Sequence, residues 1–425
     1  MTFFARAVLG VSTACLVCGL VKIPSSAKSR EISASLGTSD LGPDKPHVFI
    51  FGLGYTGLAI ASYIKRVYPA CKVSGSCTKE EKVSSLRNLG INAVLFNSDS
   101  CYGGSLNDSS SNLDDPVVRT LLGNPESDVA EPPVTHLIST IPPVADFSQD
   151  PVLEFYEETL NQLNKRQKQG ENLWLGYLST TGVYGDHQGA WVDEESELRA
   201  VDGSRAYYRI GAERRWLDDV MEGGEVCVFR LAGIYGPGRS VLETVKKEMA
   251  AKKRITETGT ETKTKTETKT KTETETETES QEQPQTPNFV NRIHVADIAA
   301  AVIASMRLSA HTSSSRAAQA SGARNIYNLC DDLPAPREDA LRVARALLSS
   351  SMPMDRREEV GMSSNEAARS ERRQQRRQRE NKRVSNSRAK SSLLFEGGEF
   401  EGTRLRFPTY VEGLEALHEG NTEPF

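Results

Sequence analysis

The stretch His47-Val-Phe-Ile-Phe-Gly52-Leu-Gly54-Tyr-Thr-Gly57-Leu-Ala-Ile-Ala-Ser-Tyr-Ile-Lys65 decides the fold. Its first part, residues 48–51, is a run of β-branched and aromatic side chains, which predicts a buried parallel strand. Three glycines follow at the spacing Gly-x-Gly-x-x-Gly, and apolar residues then recur at helical intervals. The stretch therefore predicts a strand, a tight turn and a helix.

Each glycine has a physical role in such a turn. Gly52 lets the chain turn sharply, Gly54 lets the backbone approach a pyrophosphate, and Gly57 lets the helix pack closely on the sheet. The helix start at Tyr55 and Thr56 offers free N–H groups and a positive dipole end to phosphates. We therefore predict dinucleotide binding by these five residues, with a purely structural turn as the alternative.

The average composition sets only broad limits. A chain of 425 residues with a net charge of −5 can hold two or three domains or one large one, and it gives no clear sign of a nucleic-acid partner. The seven cysteines show neither metal-ligand spacing nor a disulfide framework, so no metal site is predicted.

Residues 1–45 resemble a targeting leader. No acidic residue precedes Glu31, and an apolar run at residues 7–21 is flanked by Arg6 and Lys22. This run is shorter than the roughly 20 residues that a transmembrane helix needs, so no membrane span is predicted in the mature chain. A serine-rich, acid-poor continuation favours a plastid (chloroplast), with the mitochondrion or the secretory pathway as other destinations. The alternative is an N-terminal membrane anchor.

The second predicted strand, residues 72–77, bears on cofactor choice. Folds that prefer NAD usually end this strand with an acidic residue that holds the ribose 2′-hydroxyl. Here the strand is followed by Thr78 and Lys79, a hydroxyl and a cation that suit a 2′-phosphate. We therefore predict NADP(H), with NAD as the other possibility. Alternatively, these residues merely begin the next helix.

Three more predicted strands follow, at residues 91–96, 135–141 and 173–178. Residues 98–132 are rich in Ser, Asp, Gly and Asn and predict a loop. Pro142 ends the strand at residues 135–141, and because ligands bind at the carboxyl ends of parallel strands, we expect it near the cofactor.

Several motifs then occur in order: Ser179-Thr-Thr-Gly-Val-Tyr-Gly185, Phe229-Arg-Leu-Ala-Gly-Ile-Tyr-Gly-Pro-Gly238, Asn291-Arg-Ile-His-Val-Ala-Asp-Ile298, Ile326-Tyr-Asn-Leu-Cys-Asp-Asp332 and Arg406-Phe-Pro-Thr-Tyr-Val-Glu-Gly-Leu414. Together with the glycine turn they resemble the extended short-chain dehydrogenase/reductase family, which includes sugar-nucleotide epimerases and dehydratases. The resemblance covers about residues 46–417, interrupted by inserts.

The resemblance implies an α/β fold, a doubly wound parallel sheet (Rossmann fold) with a smaller C-terminal substrate lobe. We expect the dinucleotide-binding domain at residues 46–240 and the lobe at residues 241–425, with residues 289–310 returning to the main sheet. Residues 326–332 resemble a strand of the lobe. The resemblance also implies a small-molecule substrate, for which a nucleotide sugar is one candidate, and it leaves the oligomeric state open.

The family's catalytic set is only partly present. The resemblance places Thr180 where a Ser or Thr binds the reacting oxygen. The family's Tyr-x-x-x-Lys pair is replaced by Arg205 and Arg209, and arginine does not exchange protons near neutral pH. Arg209 remains suited to a ribose or phosphate, and Tyr208 is the substitute acid/base, although helix packing also explains it. For Thr180 the alternative is a turn role.

Two segments have insert-like composition. Residues 255–286 are a Thr-Glu-Lys repeat, and residues 352–379 are rich in Arg and Gln. Neither can bury a core, so both are expected to be disordered. Residues 380–386 look less random, and Asn381, Lys382 and Arg383 are candidates for lining the lobe cleft.

Three functions follow from these features. The leading one is an NADP(H)-dependent oxidoreductase or sugar-nucleotide-type epimerase/dehydratase that transfers hydride at a hydroxyl or carbonyl carbon. The second is a non-catalytic NAD(P)-binding sensor or scaffold, which the missing Tyr and Lys favour. The third is an RNA-associated protein, which rests on the Arg-rich insert alone.

Overall fold

The computed structural model describes residues 46–97, 115–123, 131–144, 150–167, 173–218, 225–258, 287–312, 325–350, 380–393 and 405–425. The predicted leader at residues 1–45 lies wholly outside these ranges. So do residues 259–286 and 352–379 of the two predicted inserts. The predictions for these segments remain predictions.

A seven-stranded parallel sheet forms the centre of the fold, as predicted. Its strands are β1 (His47–Phe51), β2 (Lys72–Cys77), β3 (Asn92–Leu95), β4 (His136–Ser139), β5 (Trp174–Thr180), β7 (Glu225–Leu231) and β10 (Ile326–Leu329). Their spatial order is β10-β7-β5-β4-β1-β2-β3. The order reverses between β1 and β4, and ligands of such sheets bind at the carboxyl ends of the strands at this point.

Helices cover both faces of the sheet because its strands are apolar on both sides. Val48 and Ile50 of β1 belong to the core under the helices Tyr55–Val67 and Val295–Thr312. Phe49 and Phe51 point to the opposite core, which the helices Pro116–Leu122, Pro151–Gln167 and Arg205–Asp218 help to enclose. The helix Glu80–Asn88 packs beside β2 and β3. These two cores confirm the Rossmann fold.

A third apolar cluster lies among the helices Val241–Thr258, Arg337–Ser350 and Tyr410–His418. Two short parallel pairs complete the described strands: β8 (Gly233–Tyr235) with β9 (Arg292–His294), and β6 (Trp191–Val192) with β11 (Arg383–Val384). The short helix Ser387–Leu393 follows β11. The third cluster corresponds to the predicted smaller lobe. The domain boundary at residue 240 stays a prediction.

Three expectations need correction. Strand β10 does not belong to the lobe, since it pairs with β7 at the edge of the main sheet and all four of its residues are buried. The predicted loop at residues 98–132 contains a helix, Pro116–Leu122. Asp115 caps this helix by accepting the Val117 N–H at 2.6 Å, because a capping Asp followed by Pro is a strong helix start. The helix Val241–Thr258 extends into the predicted insert at residue 255.

Residues 289–310 return to the main domain in a different form from the prediction. Strand β9 pairs with β8 rather than with the main sheet, and it is the following helix, Val295–Thr312, that packs against the helix Tyr55–Val67. Among the described helices, none is both long enough and apolar enough to cross a bilayer.

Candidate functional site

The glycine turn after β1 has the geometry that its spacing predicts. Gly52 has a φ of +88°, and a Cβ there would lie 2.5 Å from the Thr140 hydroxyl. A Cβ on Gly57 would lie 2.2 Å from the Gly52 carbonyl oxygen, so only glycine lets the helix approach the turn this closely. At Gly54, by contrast, a Cβ would meet no atom within 4 Å. Gly54 therefore presents bare backbone to open space.

That open space is a cavity of about 520 Å³ at the carboxyl ends of the strands. Its walls come from the carboxyl ends of β1, β4, β5 and β7, from β8 and from the helices Tyr55–Val67 and Arg205–Asp218. Its described lining residues are Gly54, Tyr55, Thr56, Thr140, Leu178, Ser179, Thr180, Gly182, Ser204, Arg205, Ala206, Arg209, Leu231, Ala232, Gly233, Ile234, Arg239 and Glu380. The cavity thus brings the glycine turn and the predicted catalytic segment together at the switch point of the sheet.

Thr180 stands at the end of β5, on the wall facing the glycine turn. Its hydroxyl accepts the Gly182 N–H at 3.1 Å and caps the short 3₁₀ helix Thr181–Tyr184. One lone pair and the hydroxyl proton remain for a ligand. Thr180 therefore has both a turn role and access to the cavity.

Arg205 and Arg209 line the cavity from the helix Arg205–Asp218. Arg209 donates from Nη1 to the Leu178 carbonyl oxygen at 2.6 Å, which fixes its guanidinium at the end of β5. Arg205 is exposed. That both arginines replace the family's Tyr and Lys remains a prediction from the sequence.

Tyr208 is not among the lining residues, although the sequence suggests it as the acid/base. It is half-buried and its ring lies edge-on to Tyr207, with the ring centroids 6.0 Å apart. Tyr184 is also removed from the chemistry, since its hydroxyl donates to Asn328 Oδ1 at 2.7 Å and accepts from Arg230. The phenol that does line the cavity is Tyr55.

Tyr55 is held beside a third arginine. Its hydroxyl donates to the Pro237 carbonyl oxygen at 3.2 Å, and the Arg239 guanidinium carbon lies 5.4 Å from its ring centroid. Burial raises the pKa of Tyr55 to about 12, so the phenol is neutral at physiological pH. This contact joins the glycine turn to the turn after β8.

Five predicted cofactor residues lie outside the cavity lining, namely Gly52 and Gly57, which shape the glycine turn, and Thr78, Lys79 and Pro142. Thr78 and Lys79 are exposed after β2, and Pro142 is exposed after β4. The residue that the turn after β4 contributes is Thr140, whose hydroxyl donates to the Gly52 carbonyl oxygen at 2.7 Å. Its place near the end of the predicted strand at residues 135–141 was the available sequence signal.

A buried polar network lies behind the Thr180 wall and was missed by the sequence reasoning. Arg230 Nη2 lies 2.8 Å from Glu213 Oε2, and both side chains are at most 4% exposed. Ser179, next to Thr180, donates its hydroxyl to Glu213 Oε1. The Tyr184 hydroxyl accepts from Arg230 Nη1 at 3.0 Å. The network therefore ties the end of β5 to the helix that carries Arg205 and Arg209.

The residue that follows the Arg-rich segment also reaches the cavity. Glu380 is a lining residue, whereas Asn381 and Lys382 are buried, which corrects their predicted place in the lobe cleft. The Asn381 side chain accepts the Phe289 N–H at 2.9 Å, and Lys382 Nζ donates to the Gly185 carbonyl oxygen at 3.0 Å. These bonds anchor Glu380 next to the site.

The arginine-rich lining gives the cavity a positive charge. Arg205, Arg209 and Arg239 oppose one carboxylate, Glu380, among the described lining residues. The cavity suits a phosphate-bearing ligand. Such a ligand can approach the backbone at Gly54 and the start of the helix, and three guanidinium groups are available to bind its oxygens.

Comparison with solved structures agrees with this fold. A conserved protein of unknown function from Silicibacter pomeroyi is 26% identical, with a TM-score of 0.54 over 89% of this chain and 100% of the other. A protein from Burkholderia cenocepacia described as a candidate epimerase is 11% identical, with a TM-score of 0.51 over 89% and 98%. UDP-glucuronic acid 4-epimerase from Bacillus cereus, in complex with NAD, is 13% identical, with a TM-score of 0.47 over 88% and 96%.

No protein-family model matches the chain, and no curated protein is significantly similar to it. The two neighbours with TM-scores above 0.5 share the Rossmann fold, and one of them is described as a candidate epimerase. The resemblance stated from the sequence motifs is therefore confirmed at the level of the fold.

Proposed function

We propose that the protein is an atypical extended short-chain dehydrogenase/reductase that binds NADP(H) in the cavity and acts as an oxidoreductase or epimerase/dehydratase on a hydroxyl or carbonyl carbon. The observation that carries the proposal is Gly54, whose bare backbone faces a cavity that also contains Thr180. A nicotinamide cofactor supplies hydride transfer when bound. Thr78 and Lys79 lie outside the cavity lining, so the proposed preference for a 2′-phosphate rests on their hydroxyl and cation directly after β2.

Cofactor binding, substrate binding and proton exchange are assigned to different residues of the cavity. Backbone at Gly54 and the helix start hold the pyrophosphate, and Arg209 holds a ribose or phosphate oxygen. Thr180 donates to the reacting oxygen of the substrate. Proton exchange at that oxygen falls to Glu380 or to a water held by Arg205, because Tyr208 does not line the cavity.

The experiment is a titration of the leader-free protein with NADPH and NADH, followed by nicotinamide fluorescence and calorimetry. In Gly54→Val the added Cβ meets no protein atom within 4 Å and lies at the cavity, so affinity should fall about tenfold or more with little change in stability. Gly211→Ala is the matched control, because its added Cβ also meets nothing but lies on an exposed helix surface. Equal affinity of Gly54→Val and wild type would contradict the proposed site.

Cofactor preference is tested separately. Lys79→Ala should weaken NADPH binding and leave NADH binding unchanged, since only NADPH carries the 2′-phosphate. Equal loss for both cofactors, or no loss for either, would remove Lys79 from the proposal.

A non-catalytic sensor of the NADP(H) redox state is the second candidate. Arg205 and Arg209 stand at the positions of the family's Tyr and Lys, and this favours binding without proton transfer. Tight NADPH binding without hydride transfer to any member of a carbonyl panel would support the sensor. If Thr180→Val lowers turnover about a hundredfold and retains NADPH affinity, the result would support the enzymatic function.

A further inference from the structure

A second cavity, of about 230 Å³, lies beside the first. Its walls come from the helices Val241–Thr258, Arg337–Ser350 and Tyr410–His418 and from strands β8 and β9. It shares Gly233, Ile234 and Arg239 with the first cavity. One ligand can therefore extend from the second cavity toward Thr180.

The lining of the second cavity is partly cationic and partly apolar. Arg239, Arg292 and Arg337 supply the charge, and no acidic side chain occurs among its described lining residues. The apolar part consists of Ile234, Tyr235, Val241, Val290, Tyr410 and Leu414. Such a lining suits a molecule with an anionic group on an apolar body.

Arg292 is the most deeply buried of the three arginines. It is 8% exposed, and its guanidinium donates to the carbonyl oxygens of Val290, Ala335 and Pro336 at 2.9, 3.0 and 3.2 Å. It also lies 4.8 Å from the ring centroid of Tyr410. No carboxylate of the described residues forms an ion pair with it. A buried charge that only dipoles compensate favours an anion nearby.

Asp331 is the acidic residue that acts most strongly on Arg292. It is 1% exposed, and burial raises the pKa of its carboxyl group to about 8. At neutral pH this carboxyl group is therefore largely uncharged and offsets little of the arginine charge.

We propose that the second cavity binds a compact organic anion, a carboxylate or phosphate monoester on a small apolar or aromatic body, and that this anion is the substrate. Arg239 and Arg337 are the more accessible arginines and contact the anion directly, while Arg292 is a fixed charge behind them. The volume lies below the roughly 300–1,000 Å³ of pockets that hold drug-sized ligands. This favours one anionic group over a nucleoside diphosphate. The link to a reaction rests on the proposed function.

The test uses protein saturated with NADPH, so that the glycine turn is occupied, and titrates it with phenyl phosphate and phenylacetate by calorimetry. Benzyl alcohol is the uncharged control, and UDP tests the nucleotide alternative. Arg337→Gln removes one half-buried cavity charge. Arg342→Gln on the same helix is its matched control, because that side chain is 78% exposed and outside the cavity.

We expect at least one aromatic anion to bind, and Arg337→Gln to weaken it about tenfold while Arg342→Gln leaves it unchanged. Thr244→Leu, which fills the cavity without altering charge, should also weaken it. Binding of UDP alone, equal binding by Arg337→Gln and wild type, or no saturable binding of either anion would each overturn the proposal. Should NADPH fail to bind, the proposed function falls, but the same variants still test the anion site without cofactor.

Discussion

Arg230 and Glu213 form an ion pair beneath the candidate site, with Nη2 and Oε2 2.8 Å apart and both side chains almost fully buried. Arg230 comes from β7 and Glu213 from the helix that carries Arg205 and Arg209. Ser179 and Tyr184, which flank Thr180 in the sequence, bind the same pair: the Ser179 hydroxyl donates to Glu213, and the Tyr184 hydroxyl accepts from Arg230. The pair therefore fixes the position of the Thr180 wall relative to the two arginines.

Removing one partner of this ion pair should lower the free energy of unfolding. Glu213→Leu leaves the Arg230 charge buried without a partner, so we expect the free energy of unfolding to fall by about 3–5 kcal/mol. Chemical denaturation measures this loss. In the double variant Glu213→Leu/Arg230→Met the loss should be smaller than in either single variant, since no charge remains buried. The exposed pair of Arg199 and Glu197 is the control, and Glu197→Ala should cost about 1 kcal/mol or less.

Gly57 and Gly54 should respond to substitution in opposite ways. Gly57→Ala forces a methyl group against the Gly52 carbonyl oxygen, so the turn or the helix must shift. We expect a loss of about 2 kcal/mol or more in the free energy of unfolding, together with weakened NADPH binding. Gly54→Val should weaken binding alone. A Gly57→Ala protein with wild-type stability would contradict the close approach of the helix to the turn.

The elements that were predictable from the sequence are those encoded by residues that are adjacent in the chain. The strand, turn and helix at residues 47–67 are encoded within one continuous stretch, and so is the Thr180 segment. The buried pair of Glu213 and Arg230 was not predictable in this way, because its partners lie on different elements and no local spacing joins them.

The position of Tyr208 outside the cavity lining has a geometric cause. Residues in a helix are about 100° apart, so Arg205, Ala206 and Arg209 share an arc of about 100°. Tyr208 lies about 60° beyond Arg205, on the side away from that arc. Spacing alone placed Tyr208 near Arg205, but only the packing of the helix on the sheet decides which side of Arg205 faces the cavity.

The anchoring of Glu380 gives a third prediction. Asn381→Leu removes the bonds to the Phe289 N–H and to the Pro287 carbonyl oxygen, and leaves those backbone groups without their partner. We expect a loss of about 2–3 kcal/mol in the free energy of unfolding and faster hydrogen exchange at Phe289. Glu380→Gln is the neighbouring control. It should keep wild-type stability, because Glu380 is exposed, and lower turnover if this carboxylate exchanges the proton. Equal stability of both variants would show that Asn381 does not anchor the segment.

Asp331 predicts a pH dependence of stability. Burial raises its pKa to about 8 in the folded chain, well above the usual value of about 4 for an unfolded one. Between these values the folded state binds more protons than the unfolded state, so stability is highest below about pH 4 and is lost as the pH rises toward 8. Burial lowers the pKa of His47 and His136 to about 4, which works in the opposite direction below about pH 6.5.

The Asp331 effect is therefore clearest between about pH 6.5 and 8. In that range, 1.5 pH units correspond to about 2 kcal/mol for a single group. Denaturant unfolding at a series of pH values should show wild-type stability declining by this amount relative to Asp331→Asn, in which the group does not ionise. Because the histidines and the other carboxyl groups are common to both proteins, they cancel in the difference. Parallel curves for the two proteins from pH 6.5 to 8 would mean that the Asp331 carboxyl group titrates at its ordinary pKa.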